Sequence, residues 1–312
     1  MQTAAIVFEK PGTLAIKQLA LQTASEGDIV ARALFSGISN GTERMLFDGT
    51  MPSFPGMRYP LVPGYETVAR VVEAGPTSGR SVGELVYIPG ANCYRDAAGL
   101  FGASAEMLIV EGRRGVPLIA EQPEQAVLLA LAATAHHAVL RAGHPPSLVI
   151  GHGVLGRLIA RMIIAIGHPA PIVWETVPAR RTGGLGYAVS SPEDDDGQRH
   201  TAIIDASGNA LVLDEAIGKL QRQGVLVLAG FYGARIDLDF PRIFMREATL
   251  VAAAEFTADD VSAVQALVAA GALSLDGLIT HHASPADAVS AYRTAFSDPE
   301  CLKMIIDWRN AA

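Results

Sequence analysis

The stretch Gly151-His152-Gly153-Val154-Leu155-Gly156 constrains this chain more than any other. It follows three strand-like residues, Leu148-Val149-Ile150, and opens a segment in which Leu155, Leu158, Ile159, Met162, Ile163 and Ile166 recur at helical spacing. Three glycines between a strand and a helix have distinct uses. The first permits a tight turn, the second lets a ligand approach the backbone, and the third lets helix and strand pack closely. The N–H groups at the helix start lack intrahelical partners and sit at the positive end of the macrodipole, so a pyrophosphate fits there. The turn therefore predicts a dinucleotide held on Gly151, Gly153, Val154, Leu155 and Gly156.

The flanking pattern agrees. Strand-like pieces at 148–150, 172–174, 202–205, 225–229 and 250–253 alternate with helical stretches at 155–167 and 212–220, the sequence form of a doubly wound parallel α/β sheet with crossover helices. Glu175 closes the second of these strands, about where an acidic residue takes the ribose hydroxyls, ~20 residues beyond the glycines. A carboxylate there repels a 2′-phosphate, so NAD is expected over NADP, although Arg180 and Arg181 lie close enough in sequence to accommodate a phosphate. Asp205-Ala206-Ser207 and Gly230-Phe231 follow the next two strands, and turns beyond the carboxyl ends of strands line the ligand crevice of such sheets. The stretch 190–200 carries Asp194, Asp195 and Asp196 and is short of apolar residues. It is expected to be a solvated loop in place of a longer helix, since consecutive carboxylates fan outward and do not converge on a metal.

The first third has another texture. Short β-rich pieces at 4–8, 29–36, 67–74, 85–89 and 105–110, separated by Gly and Pro, predict a small barrel. With 312 residues, half of them apolar, the chain has material for two cores. A helical stretch at 123–142, stopped by Pro145 and Pro146, leads into the parallel sheet. A helix from 257 to 271, another near 286–296 and a strand at 303–308 close the chain. Net charge is −8 with no Lys/Arg cluster, which argues against a nucleic-acid partner. No apolar run supplies the ~20 uncharged residues of a membrane span, and residues 1–11 lack a leader pattern, so a cytoplasmic protein is expected. Cys93 and Cys301 are the only cysteines, which excludes a disulfide framework and points to a reducing compartment.

Several further segments carry a resemblance: Ser36-Gly37-Ile38-Ser39, Pro63-Gly64-Tyr65-Glu66, Val82-Gly83-Glu84-Leu85-Val86, Gly102-Ala103-Ser104-Ala105-Glu106, Thr134-Ala135-His136-His137, the glycine turn, and Phe244-Met245-Arg246-Glu247. In order and spacing the whole chain resembles the medium-chain dehydrogenase/reductase family. The resemblance implies a GroES-like β-barrel catalytic domain, split as 1–122 and 257–312, around a Rossmann dinucleotide domain at 123–256. It also implies a homodimer formed through the last strand of the latter, and Thr134 beside the cofactor. Zinc members of the family place a Cys where this chain has Ser39, a His where it has Tyr65, and a third ligand near the start of the Thr134 helix, where only Ala and Leu occur. A catalytic zinc needs three such ligands, so no metal is expected. Cys93 stands alone where zinc members often carry a four-Cys lobe.

A narrower resemblance is carried by Ser39-Asn40-Gly41-Thr42-Glu43-Arg44, Met51-Pro52-Ser53-Phe54-Pro55-Gly56-Met57, Tyr59-Pro60-Leu61-Val62-Pro63-Gly64-Tyr65-Glu66 and Pro89-Gly90-Ala91-Asn92-Cys93-Tyr94. These segments are similar to a group of dehydrogenases that act on bacteriochlorophyll precursors. They imply NAD-dependent oxidation of the 3-(1-hydroxyethyl) group of a tetrapyrrole to 3-acetyl. Without zinc, protein hydrogen bonds must carry the developing charge on the substrate oxygen. Ser39, Asn40, Thr42, Tyr65 and Glu66 are expected to cluster for that purpose, with Tyr65 or Ser39 on the substrate hydroxyl and His136 or His137 as proton acceptor or relay. The loop residues Met51, Phe54, Met57 and Tyr59 suit a flat apolar ligand, and Arg44, Arg58 or Arg95 could meet a propionate. Two other readings stand beside this one: a zinc-free quinone or enone reductase, and a non-catalytic dinucleotide-binding carrier.

Overall fold

A computed structural model describes residues 1–53, 55–119 and 122–310. The chain forms two compact units, 1–129 with 279–312, and 130–278.

The first unit is β-rich. A hairpin of β1 (Gln2–Lys10) and β2 (Thr13–Ala20) accompanies a sheet built on β3 (Asp28–Ile38). In that sheet β3 pairs antiparallel with β4 (Thr67–Ala74) and β6 (Met107–Glu111), and β5 (Leu85–Ile88) and β7 (Val116–Pro117) extend it beyond β4. Helix α1 (Thr42–Asp48) follows β3. The chain returns at its end as β14 (Ile279–Ala283), α7 (Ala288–Ser297) and β15 (Lys303–Asp307), and β15 lies antiparallel against β3. One core holds Ile6, Phe8, Leu46, Met51, Tyr292 and Trp308 together, so the C-terminal segment completes the barrel that the N-terminal segment begins.

The second unit opens with α2 (Leu129–Arg141), reached through a short 3₁₀ turn at Gln125–Leu128. Six strands follow: β8 (Leu148–Ile150), β9 (Ile172–Trp174), β10 (Ala188–Ser190), β11 (His200–Asp205), β12 (Leu220–Leu228) and β13 (Thr249–Ala252). All neighbours are parallel, in the order β10-β9-β8-β11-β12-β13. That order reverses direction at β8, which places a switch point between β8 and β11, where such sheets take their ligands. Helices α3 (Val154–Ala165), α4 (Leu213–Lys219), α5 (Phe240–Arg246) and α6 (Ala258–Ala269) complete the unit.

Several features differ from the sequence expectations, among them α1, β7, β10 and β14, which the sequence pattern did not mark. The second crossing between units falls at 278/279 and not at 257, because α6 and the segment after it bond to the parallel-sheet unit. Asp260 of α6 meets two histidines of α2, and the Arg161 guanidinium donates to the carbonyls of Ser274 and Asp276. Strand β2 went unrecognised because only one of its residues is buried and its apolar spacing is weak. Helix α5 was not foreseen either, since it leaves Phe240, Phe244 and Met245 exposed. The stretch 190–200 matches its expectation: only a 3₁₀ turn, Pro192–Asp194, precedes β11. Its aspartates spread apart, with Asp195 pairing to Lys219.

Candidate active site

Tyr65 follows the turn at Gly64, whose φ is +98° and whose absent side chain leaves room for Ser104 Oγ, 2.1 Å from where a Cβ would lie. The half-buried Tyr65 ring meets Phe101 edge to face. Its hydroxyl lies 2.7 Å from the hydroxyl of Ser39, the residue directly after β3. Thr42, at the start of α1, also bonds to this phenol. Burial pushes the Tyr65 hydroxyl well above its ordinary range, and the charge of Glu66 behind it adds to the effect. The phenol therefore stays protonated and acts as a hydrogen-bonding group, not as a base.

Glu66 points away from this pair. Both its oxygens accept from the Lys303 ammonium at 2.9 and 2.7 Å, and the same ammonium donates to Ile38 O at 3.1 Å. Neither residue is more than a few per cent exposed. Glu66 is thus a member of a sealed ion pair, and its expected place among the catalytic groups is corrected to one behind them. Glu43, which the sequence reading passed over, lies in the same cluster. Its carboxyl accepts the Ser39 N–H at 3.1 Å and the Tyr292 hydroxyl at 2.6 Å. The missed signal was an acidic residue one position after Thr42. As donors, two hydroxyls, a high-lying phenol and a carboxylate already bonded to lysine do not fit a catalytic zinc, which takes deprotonated thiolate, neutral imidazole or free carboxylate ligands.

The glycine turn has the geometry its spacing promised. Gly151 has φ +95°, and a Cβ there would lie 3.1 Å from the Ser207 backbone. At Gly156 a Cβ would sit 1.8 Å from Gly151 O, so only glycine lets α3 pack against the turn. Gly153 caps α3 in extended conformation with no side-chain cap, and open space surrounds its missing Cβ. The first N–H groups of a helix lack intrahelical partners, and at this uncapped, open turn they fit a dinucleotide pyrophosphate. Val154 and Leu155 supply the first N–H groups of the helix.

Glu175 is buried at the end of β9, where its carboxylate accepts from the N–H groups of His152 (3.0 Å) and Val177 (2.8 Å). Arg181 spends its guanidinium on Glu175 O, Thr176 O and Ser191 Oγ. Asp205 and Ser207 form a turn bonded within itself: Ser207 Oγ donates to Asp205 Oδ1 at 2.7 Å, and Tyr232 donates to the other oxygen. Ala206 N–H donates to Ile150 O, which ties that turn to β8. A Cβ on Gly230 would lie 2.5 Å from Gly208 N, and Phe231 beside it is nearly half exposed. Asp205 is therefore committed to locking the turns beyond β11 and β12 together.

His136 and His137 of α2 converge on Asp260, Nδ1 to Oδ1 at 2.6 Å and Nδ1 to Oδ2 at 3.1 Å. Asp260 also closes a capping box with Thr257. Burial raises its carboxyl, yet the Thr257 N–H and His136 outweigh that and hold it down at about 2. Thr134, one turn earlier, is half-buried on the same helix. In the first unit, Met51 is a core residue and not a ligand-facing one, because it packs with Leu46 and Phe8. Met57 and Tyr59 rest half-buried against that core, with the Tyr59 hydroxyl donating to Leu46 O. Arg58 is exposed, and Phe54 lies outside the described residues.

Comparison with known proteins agrees with this architecture. Residues 25–120 match the alcohol dehydrogenase GroES-like domain. Over 313 aligned residues the chain is 47% identical to the 2-desacetyl-2-hydroxyethyl bacteriochlorophyllide A dehydrogenase of Rhodobacter capsulatus, covering all of both chains. Among solved structures, an alcohol dehydrogenase of Escherichia coli CFT073 complexed with NADH superposes with TM-score 0.84 at 20% identity, covering 98% of this chain and 99% of that one. A protein of Sinorhizobium meliloti bound to NADP gives 0.83 at 18% with the same coverage. The last two establish the fold alone. Full-length identity to the first places this chain in the family of 2-desacetyl-2-hydroxyethyl bacteriochlorophyllide A dehydrogenases, within the medium-chain alcohol dehydrogenases.

Proposed function

We propose that this enzyme oxidises the 3-(1-hydroxyethyl) group of a bacteriochlorophyllide or chlorophyllide to 3-acetyl, with NAD⁺ as acceptor and without zinc. The observation that carries the reading is the Ser39–Tyr65 hydroxyl pair, standing where zinc relatives bind metal, in a chain with close full-length identity to a dehydrogenase named for that substrate. A nicotinamide dinucleotide held on the turn from Gly151 to Gly156 would supply the hydride acceptor. The protein's own part is to bind the substrate hydroxyl between Tyr65 and Ser39, with Thr42 supporting the phenol, and to keep it oriented while its proton departs. Arg58, exposed on the loop that also carries Met57 and Tyr59, is the cation available there for a propionate. His136 and His137 offer a second place for the proton, because Asp260 engages each Nδ1 and leaves each Nε2 to accept.

The preference for NAD rests on Glu175. Its buried carboxylate at the end of β9 opposes a 2′-phosphate, and Arg181, bonded to backbone carbonyls, is not free to offset it. A homodimer is supported by two features of the second unit. The outer edge of β13 pairs with no described strand, and α5 beside it exposes Phe240, Phe244 and Met245.

The direct test is incubation with the hydroxyethyl pigment and either NAD⁺ or NADP⁺, following the red shift of the acetyl product and the absorbance of the reduced nicotinamide. Turnover with NAD⁺ is expected. A folded protein that binds NAD⁺ but forms no product would remove the dehydrogenase reading in favour of a carrier, and preference for NADP⁺ would remove the role given to Glu175.

A further inference from the structure

Glu43 sits in the first turn of α1 with no exposed surface, and no ion pair reaches it among the described residues. Every group that faces it can be named. From α7 comes the Tyr292 hydroxyl, which donates to Oε2 and is itself pushed well above its ordinary range by burial and by Glu43. From the end of β3 comes the Ser39 N–H, which donates to Oε1. From β15 comes Lys303, whose ammonium is bonded to both oxygens of Glu66 and to Ile38 O. Glu66 and Tyr65 face it across the same cluster. Glu43 is therefore bonded to the backbone of the residue whose hydroxyl holds Tyr65, and it is the carboxyl of the cluster without a cation. Burial lifts it to about 7, against the lowering pull of Tyr292 and Ser39. A carboxyl kept apart from the neighbouring lysine changes its charge within the working range of an enzyme, whereas Tyr65 and Tyr292 stay protonated.

We propose that Glu43 is the positioning residue of this site: it holds Ser39 in register with Tyr65, and its negative charge eases the passage of the substrate's proton through that hydroxyl pair. The inference rests on the reading that Ser39 and Tyr65 bind the substrate hydroxyl. In the oxidation the carbinol C–H bond breaks and its electron pair goes with hydrogen to the oxidised nicotinamide. The C=O bond forms, and the O–H proton passes through the Tyr65 and Ser39 hydroxyls to water. Ionised Glu43 stabilises the charge that the passing proton places on the hydroxyl pair, in both directions alike, and reduction must in addition draw a proton from water, so the two directions respond to pH differently.

The experiment is the pH profile of kcat/KM in both directions for the wild type and for Glu43→Gln, Tyr292→Phe, Ser39→Ala, Tyr65→Phe and His136→Ala. The wild type is expected to show an oxidation limb that rises about tenfold per pH unit below neutrality and levels above it, as for loss of one proton, and a reduction profile that is level below neutrality and falls above it. In Glu43→Gln the oxidation limb vanishes and reduction falls with pH throughout, with no break near neutrality. Tyr292→Phe, which removes a donor to the carboxylate, moves the break to higher pH. An independent readout is the infrared band of a protonated buried carboxyl, present in the wild type at acid pH, fading as pH rises through neutrality, and missing from Glu43→Gln. If Glu43→Gln does not fold, the Tyr292→Phe shift and the wild-type infrared titration decide. Limbs unchanged in Glu43→Gln or unshifted in Tyr292→Phe overturn the proposal, as does a limb lost only in His136→Ala. Full turnover in both Ser39→Ala and Tyr65→Phe removes the reading of the site and this proposal with it. Lost turnover there with an intact limb in Glu43→Gln removes this proposal alone.

Discussion

At the scale of single residues, the site is defined by side chains that exclude one another. Gly37 has no side chain because Glu66 fills the space, where a Cβ would lie 2.1 Å from Oε2. Glu66 in turn is tolerable in that interior only because Lys303 pairs with it. Lys303→Met should therefore cost roughly 3–5 kcal/mol in urea denaturation, since it strands a buried carboxylate. The double variant Glu66→Leu/Lys303→Met should recover most of that loss, and a double variant no more stable than the single one would show that the pair matters for reasons other than charge. Glu43 gives a pH dependence of the opposite kind to an ordinary carboxylate. Its native pKa of about 7 exceeds the ordinary 4.5, so between those values the folded chain keeps a proton that the unfolded chain has lost. Stability should fall as pH rises through that window, by up to roughly 3 kcal/mol, and the slope should flatten in Glu43→Gln. That Ser39 and Tyr65 come together was expected from the sequence, and their hydroxyls meet at 2.7 Å. The commitment of Glu66 to Lys303 was not, because the partners lie far apart in the chain.

At the scale of elements, the segment between β9 and β10 shows how a crossover is held without an α-helix. Only a 3₁₀ turn, Pro178–Arg180, occurs there, and the loop is stapled to α3 by side chains. Arg157 donates to the carbonyls of Arg180, Thr182 and Gly183. His152, wholly buried, lies 2.6 Å from Arg180 O through Nδ1 and 2.9 Å from the Tyr187 hydroxyl through Nε2. With a carbonyl on one side, Nδ1 must carry the proton, and Nε2 then accepts from the tyrosine. Burial lowers the imidazole to about 4. Below its ordinary pKa of about 6.5 the unfolded chain binds a proton that the folded chain refuses, so stability is lost as pH falls from 6.5 towards 4, by up to about 3 kcal/mol. Hydrogen exchange at 176–187 should rise over that range before exchange in β8 or β11 does, and exchange that rises only with global unfolding would contradict the staple. The periodicity of α3 and the strands around it was plain in the sequence. The staple was hidden, because arginines on an otherwise apolar helix say nothing about which carbonyls they reach.

At the scale of the whole molecule, the six-stranded sheet ends at β13, and its outer edge pairs with no described strand, while α5 exposes Phe240, Phe244 and Met245. If a second copy covers this face, Phe244→Glu with Met245→Lys should convert a dimer to a monomer in sedimentation, with the far-ultraviolet dichroism unchanged. A wild type that sediments as a monomer, or a variant that remains a dimer, would refute it. The two-unit organisation was legible from the change of texture between 110 and 148. Its second boundary was displaced because Asp260 binds two histidines of α2. Local chemistry, which is what a sequence displays, determined the glycine turn, the parallel sheet, the carboxylate after β9 and the hydroxyl side chains at Ser39 and Tyr65. Tertiary structure alone decided which buried charges are neutralised. Ion pairing depends on distances between residues remote in the chain, and burial makes the difference between the sealed Glu66 and the unpaired Glu43 a matter of several kcal/mol.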